Sequence, residues 1–353
     1  MGARAGGAIL TGPALAVAVA VTVAACGSSS SSASNASGAT GAATGLQQQY
    51  ENAVTKVLPS VVQIFTSDAT GSGVVYDSKG DIITNAHVVG DEATVKVVPA
   101  TGGDTLTAKV LGTFPAGDLA VIRVESNASQ LKAAAFGDSD DVKAGQIVLA
   151  MGNPLGLTGS VSQGIVSALG RTVSASSSAG GASSATTITD AIQTTAAING
   201  GNSGGALVNL NEQVIGIPTA AARDPEAGAA PGIGFAIPSN TATDIAKQLI
   251  DTGRVTNSGR ASLNITATTV ATQQGQEAGV GIITAASGGA AAKAGLTAGD
   301  VIVDLSGQPT PNVASLNSLL ATLKPGQHVQ VKYLRSGSTT TNTATVTLGD
   351  LSS

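Results

Sequence analysis

From about residue 48 the chain is written as short runs of β-branched and aliphatic residues, most of them closed within a few positions by Gly, Asn, Asp or Pro. The runs fall at 61–65, 71–76, 81–84, 94–98, 106–111, 118–124, 146–150, 161–168 and 213–217. They are short for helices, and their even spacing leaves little room for the long crossovers that parallel strands require. The pattern therefore predicts antiparallel strands in a sandwich or barrel. The string Asp77-Ser78-Lys79-Gly80 separates two of the runs and ends on Gly, which accepts the left-handed conformation that a tight hairpin needs. Four Phe, three Tyr and no Trp in 353 residues leave the core to Ala, Val, Ile and Leu. A chain of this length is expected to hold two or three domains.

A helical texture follows the last of these runs. After Pro238-Ser239, positions Ile245, Leu249 and Ile250 share one face, and Gly253 lies just past the last turn. Residues 254–260 form a linker. The stretch 261–349 mixes strands with an Ala-rich helix at 288–295 and a second helix at 312–324. In the second, Leu316, Leu319, Leu320 and Leu323 keep the spacing of a buried helical face. The low-complexity segment 173–187 is expected to be a loop. No internal repeat is found.

The N-terminus carries a different signal. Arg4 precedes an uncharged apolar run at 8–25, and small residues lead into Cys26, the one cysteine of the chain. A basic start, an apolar stretch and small residues before a cut site describe an export signal. The position of Cys26 is similar to a bacterial lipobox, which implies lipidation of that residue. The alternative is an uncleaved transmembrane anchor, although 18 residues with Pro13 among them are short for one. Residues 27–45 hold almost no apolar bulk and no charge, so a flexible spacer is expected. On either reading the protein is exported to the cell envelope and tethered to a membrane.

Charge and cysteine count exclude other classes. With 17 basic and 22 acidic residues, the net charge of −5 gives no polycationic face for nucleic acid. One Cys makes no internal disulfide, zinc site or iron–sulfur site, and no metal or other cofactor is expected.

Three residues could carry chemistry. His87 ends a strand in Thr84-Asn85-Ala86-His87, Asp118 opens Asp118-Leu119-Ala120-Val121-Ile122, and Ser203 lies in Gly201-Asn202-Ser203-Gly204-Gly205. A His among apolar residues is more often plain core, an Asp at a strand head is common, and a Gly-rich turn is ordinary in a chain with 46 Gly. Together they carry more weight. Their order is His, Asp, Ser, that of the chymotrypsin-type triad, and glycines around a Ser let neighbouring N–H groups converge on a developing oxyanion.

The segments GSGVVYDSKGDIITNAHVV (71–89), DLAVIRV (118–124), QTTAAINGGNSGGAL (193–207), GIGFAIP (232–238) and GVGIITAASGGAAAKAGLTAGDVIVDLSGQP (279–309) resemble the HtrA/Deg family of exported serine proteases. The resemblance implies a mainly β chain: a chymotrypsin-like double β-barrel protease domain at 48–254, followed by an α+β PDZ domain at 260–349. Residues 1–25 are then a lipoprotein signal peptide, and 26–47 the lipidated Cys and linker. It implies His87 as general base, Asp118 as its orienting carboxylate, Ser203 as nucleophile, and the N–H groups of Gly201 and Ser203 as the oxyanion hole. Ala197 stands at the base of the main pocket, and Ile198, Ile217, Pro218 and Thr219 are expected to line it. That lining favours cleavage after small aliphatic residues, which unfolded or misfolded polypeptides expose. Ser262-Leu263-Asn264-Ile265 match the carboxylate-binding loop of a PDZ domain, with helix 312–324 as the other groove wall, for C-terminal peptides added at a sheet edge. Family members often form trimers through the N-terminal part of the protease domain, here Leu46–Glu51 with Tyr50.

Three positions depart from the family pattern. Thr195 replaces an Asp, Gly200 replaces a Pro ahead of the oxyanion loop, and Asn264 replaces the Gly of the PDZ loop. Gly at 200 frees the backbone and raises the cost of ordering the loop. These departures keep open a chaperone or peptide-binding scaffold without turnover. A lipoprotein solute receptor, suggested by Cys26 and the spacer alone, is remote.

Overall fold

The computed structural model describes residues 34–153, 159–175, 186–199, 201–224, 228–272 and 274–352. The export signal, Cys26 and Gly200 lie outside the described residues. The chain divides into a unit ending at Gly45 and a second running from Leu46 to Ser353. Helix α1 (Ser34–Val57) corrects the expected spacer, because the chain is helical from Ser34 onward. Its C-terminal part is anchored by the buried Ala53 and Val57 and by i,i+4 bonds from Gln47 to Glu51 and from Gln48 to Asn52. Among the described residues no helix is long and apolar enough to cross a membrane.

Two six-stranded closed barrels follow. The first holds β1 (Val61–Phe65), β2 (Thr70–Val75), β3 (Asp81–Thr84), β4 (Thr94–Pro99), β5 (Leu106–Phe114) and β6 (Leu119–Val124). Its order is β1-β2-β3-β6-β5-β4, with the short helix α2 (Ala86–Val89) after β3. The second holds β7 (Ile147–Gly152), β8 (Ser160–Ala175), β9 (Thr186–Thr194), β10 (Ala206–Asn209), β11 (Val214–Asp224) and β12 (Gly228–Pro238). Its order is β10-β11-β12-β9-β8-β7. All these pairs are antiparallel, as the short runs require. The expected loop at 173–187 is shorter than its composition suggests, because β8 and β9 pair as far as Ala175 and Thr186.

Val62, Ile64, Ile82 and Ile122 fill the first barrel, and Val148, Ile192, Leu207 and Ile215 the second. A further core joins the barrels, where Val61, Ile83, Leu119, Met151 and Ile237 pack with Ile245 and Leu249 of helix α3 (Ser239–Thr252). Burying an aliphatic side chain of this size is worth roughly 1.5–3 kcal/mol. The barrels are thus packed against each other, and residues at their seam are held from both sides.

The C-terminal part forms a separate core. A small sheet pairs β13 (Ala261–Ser262) with β20 (Gly349–Asp350). The larger sheet runs β14 (Ile265–Ala271), β15 (Glu277–Ala285), β16 (Val301–Leu305), β18 (His328–Leu334) and β19 (Thr341–Thr347), with β17 (Gln308–Pro309) on β16. Helices α4 (Ala290–Lys293) and α5 (Val313–Leu320) cover it. Leu316 and Leu320 are buried and Leu319 half-buried, as the helical spacing predicts.

Candidate active site

His87 lies on α2, directly after the buried strand β3, and its side chain is 44% exposed at the barrel seam. Asp118 ends the one-turn helix Pro115–Gly117 in the left-handed region, at φ 53°. Asp tolerates that conformation better than most residues. Its carboxylate accepts from the backbone N–H of His87 at 3.0 Å and lies 2.8 and 2.9 Å from Nδ1. A carboxylate only accepts, so Nδ1 carries the hydrogen and the Nε2 lone pair is left for other work. Crowding around His87 pulls its pKa down, but the hydrogen bond and charge of Asp118 outweigh that and hold it above the ordinary 6.5.

Asp118 is tied from other sides too. The Thr219 hydroxyl donates to Oδ2, and the Asn85 side-chain amide donates to the Asp118 carbonyl at 2.9 Å. Thr219, expected to line the substrate pocket, thus gives its hydroxyl to the carboxylate.

Ser203 sits in a tight loop. Gly201 has φ 107° and Gly204 φ 81°, conformations that L side chains rarely adopt. A Cβ at Gly204 would collide with the Ser72 carbonyl and the Thr84 hydroxyl, so only Gly fits there. The Gly204 N–H bonds the Pro218 carbonyl at 2.8 Å, next to Thr219 on Asp118. Those links place Ser203 across the seam from His87. Among the described residues no hydrogen bond joins Ser203 Oγ to the imidazole, and the N–H groups of Gly201 and Ser203 have no acceptor. Free enzymes often hold such catalytic contacts loosely until substrate binds.

The other expected pocket residues divide. Ala197 is exposed, and its carbonyl accepts from Ser162 Oγ and the Asn202 amide, both at 2.9 Å. Ile198 is 6% exposed and packs against Gly234 in the second barrel. Pro218 is buried. Ile217 corrects the expectation, being fully buried in the core between the barrels. The second histidine, His328, is an exposed residue of β18 that bonds Thr347 across the ladder.

In the C-terminal part, β14 and α5 flank a cleft of about 550 Å³ that Ser262, Leu263 and Ile265 also line. Asn264 is left-handed at φ 55°, and its side chain bonds the Asp350 carbonyl and the Ala290 N–H. Its own N–H donates to Ser262 Oγ at 2.8 Å. Arg260, whose pKa burial lowers to about 10, donates to the Ala116 carbonyl at 2.6 Å. That bond joins the cleft to the turn that carries Asp118.

The two barrels, the seam residues and the separate sheet with its cleft define a trypsin-like protease fold followed by a PDZ domain. Residues 71–217 match the trypsin-like peptidase domain and residues 254–348 the PDZ domain. The periplasmic serine endoprotease DegP of Salmonella typhimurium is 40% identical over 276 residues, covering 76% of this chain and 55% of DegP. The chain thus spans just over half the length of that relative. The serine protease Do-like HtrA of Bacillus subtilis is 38% identical over 310 residues, covering 83% and 67%. The HtrA-type protease AlgW, solved with a decapeptide, superposes with a TM-score of 0.55 at 30% identity, covering 86% of this chain and 98% of that one. The chain belongs to the HtrA/Deg family of serine proteases.

Proposed function

We propose that the chain is a serine endopeptidase working through an acyl-enzyme. The observation that carries this reading is the clamp on His87: its N–H and Nδ1 are both held by Asp118, which leaves the Nε2 lone pair for a proton from Ser203. Ser203 Oγ attacks the peptide carbonyl while Nε2 takes its proton. The oxyanion receives the N–H groups of Gly201 and Ser203, which have no acceptor among the described residues. His87 then gives the proton to the leaving amine, and water repeats the sequence to release the acid. Asp118 stabilises the imidazolium formed in each half.

The exposed Ala197 and the buried Ile198 give no charge for a basic side chain, which supports cleavage after small aliphatic residues of unfolded envelope proteins. The cleft between β14 and α5 would take C-terminal peptides, in keeping with the decapeptide solved with AlgW. Export, tethering through Cys26 and a trimer built on Leu46–Glu51 complete the proposal. Leu46 is 40% exposed, as such a contact needs, whereas Tyr50 packs partly against the core. The test follows degradation of an unfolded model protein by the wild type and by Ser203→Ala, with the cut sites mapped. Cleavage after Val or Ala that vanishes in the variant is expected. Absence of turnover, with C-terminal peptides added, would sink the protease reading in favour of a peptide-binding scaffold.

A further inference from the structure

The Ser203 loop is unusually free by composition. Asn199-Gly200-Gly201-Asn202-Ser203-Gly204-Gly205 holds four glycines and no proline. Each glycine adds conformations that must be given up when the loop is ordered. Bonds made by Asn202 keep one side of the loop in shape: its side chain accepts from the Asn199 N–H at 3.0 Å and donates to the Ala197 carbonyl at 2.9 Å. These bonds are internal to the second barrel. They cannot set where the loop stands relative to His87, which belongs to the first.

Ser72 crosses that gap. It lies on β2 of the first barrel and is fully buried. Its Oγ donates to the Gly201 carbonyl at 2.5 Å and accepts from the Asn153 N–H at 2.9 Å. Its N–H donates to the Ser203 carbonyl at 2.9 Å, and its own carbonyl accepts from the Thr84 hydroxyl at 2.6 Å. Among the described residues, both hydrogen bonds from the first barrel to residues 201–204 come from Ser72. Thr84 in turn lies three residues before His87. The strand at Ser72 has little freedom of its own: a Cβ at Gly71 would collide with Val88, and one at Gly73 with Ile82.

We propose that Ser72 is the positioning residue that sets the oxyanion donors of the Ser203 loop against His87. This rests on the reading of Ser203 as nucleophile. Pinning the carbonyls of Gly201 and Ser203 brackets the Asn202–Ser203 peptide, whose N–H is one of the two donors. A carbonyl held by a donor on the opposite barrel fixes the plane of its own peptide unit, and the Ser203 N–H lies in the unit between those two planes, so its direction is limited from both ends. The backbone bond to Ser203 survives any substitution at 72. The hydroxyl bond to Gly201 does not: the Gly201–Asn202 unit then keeps the Asn202 N–H bond to the Asn199 carbonyl at 3.2 Å but loses its tie to the first barrel, and its turning carries the Ser203 N–H with it.

The test compares the wild type with Ser72→Ala and Ser72→Cys in the full chain, alongside Ser203→Ala. For each, kcat and KM on a peptide amide, the pH–rate profile, the affinity of a peptide boronate and Tm are measured. Loss of one oxyanion donor costs roughly a hundred- to a thousandfold in kcat, and a mispositioned donor should cost less, on the order of ten- to a hundredfold. Ser72→Ala is expected to lose kcat by that factor and boronate affinity in proportion. KM should stay within about twofold and the acid limb of the profile in place, because His87 and Asp118 are untouched. Ser72→Cys, of similar size but a weaker donor, should fall between, and it keeps the question open to measurement if the Ala variant does not fold. An unchanged kcat at unchanged Tm would overturn the proposal, as would a loss matched by a displaced acid limb. If the wild type is no faster than Ser203→Ala, the protease reading itself fails and takes this one with it. An active wild type beside an equally active Ser72→Ala fails this one alone.

Discussion

The two halves of the candidate active site are built to different standards. On the first barrel, His87 and Asp118 are joined by contacts from Nδ1 and the backbone N–H, and Thr219 and Asn85 hold Asp118 from other directions. On the second barrel, the Ser203 loop is a run of glycines held by Asn202 and by Ser72, with no bond from Ser203 Oγ to the imidazole among the described residues. A base must keep its tautomer before substrate arrives, so its partners are preformed. A nucleophile loop can be completed later, at the cost of ordering glycines.

The strongest way to break that comparison is to remove the charge from the first half. Asp118→Asn keeps the shape but lets the amide donate toward Nδ1, which favours the wrong tautomer. A loss of about ten-thousandfold in kcat is expected. The pH dependence has a definite sign. Catalysis needs neutral His87, whose pKa stands above 6.5, so the acid limb of the wild-type profile should lie above pH 6.5. In Asp118→Asn only the effect of crowding remains, and the limb of the residual activity should move below 6.5. The same raised pKa adds stability that is full below pH 6.5 and fades as pH rises through the folded value. Measuring both the profile and Tm against pH checks the two signs together. A profile that stays put would show that Asp118 does not set the proton affinity of His87.

Thr219→Val gives a smaller effect of opposite sign. The hydroxyl spends a hydrogen bond on the carboxylate, and removing it leaves more of that charge for His87. The acid limb should therefore rise, the reverse of Asp118→Asn. A hydrogen bond to a charged group is worth about 1.5–3 kcal/mol, so kcat is expected to fall by roughly ten- to a hundredfold. If the limb does not move while kcat falls, Thr219 acts on substrate, as a residue lining the pocket would.

Thr219 also shows which parts of the molecule were legible in sequence. Strands with clean β-branched runs, such as 61–65 and 118–124, were readable because local pattern and burial agree. Strands β10 and β12 were not, because Gly204 and Gly205 just before β10, and Pro231 and Pro238 within β12, read as breakers there. In the fold, β10 and β12 lie paired inside a closed barrel whose β11–β12 ladder absorbs irregularities as register shifts. The order of His87, Asp118 and Ser203 was visible because each lies in a distinctive local string. Thr219 and Ser72 were not, because their partners lie 101 and 129 positions away and only barrel closure brings them together. The start of α1 was missed for a different reason: the Gly, Ser and Thr of 34–45 read as coil, and no local signal there marks a helix.

The smallest predicted effect carries the comparison into the PDZ domain. Asn264 adopts the conformation its family usually gives to Gly, and two side-chain bonds, to Asp350 and Ala290, hold it there. That loop is therefore preformed, like the first barrel's half of the site. One of the N–H groups a peptide carboxylate would use, that of Asn264, is however already engaged by Ser262 Oγ. A ligand must displace this internal acceptor before it gains the donor. Ser262→Ala removes the competitor without touching the Asn264 side chain, and the net worth of a neutral hydrogen bond is about 0.5–1.5 kcal/mol. Calorimetric titration with a C-terminal peptide is expected to show binding a few-fold tighter in the variant, with Tm nearly unchanged. Weaker binding would mean that the hydroxyl itself donates to the carboxylate, so that the loop is completed by its ligand rather than preformed.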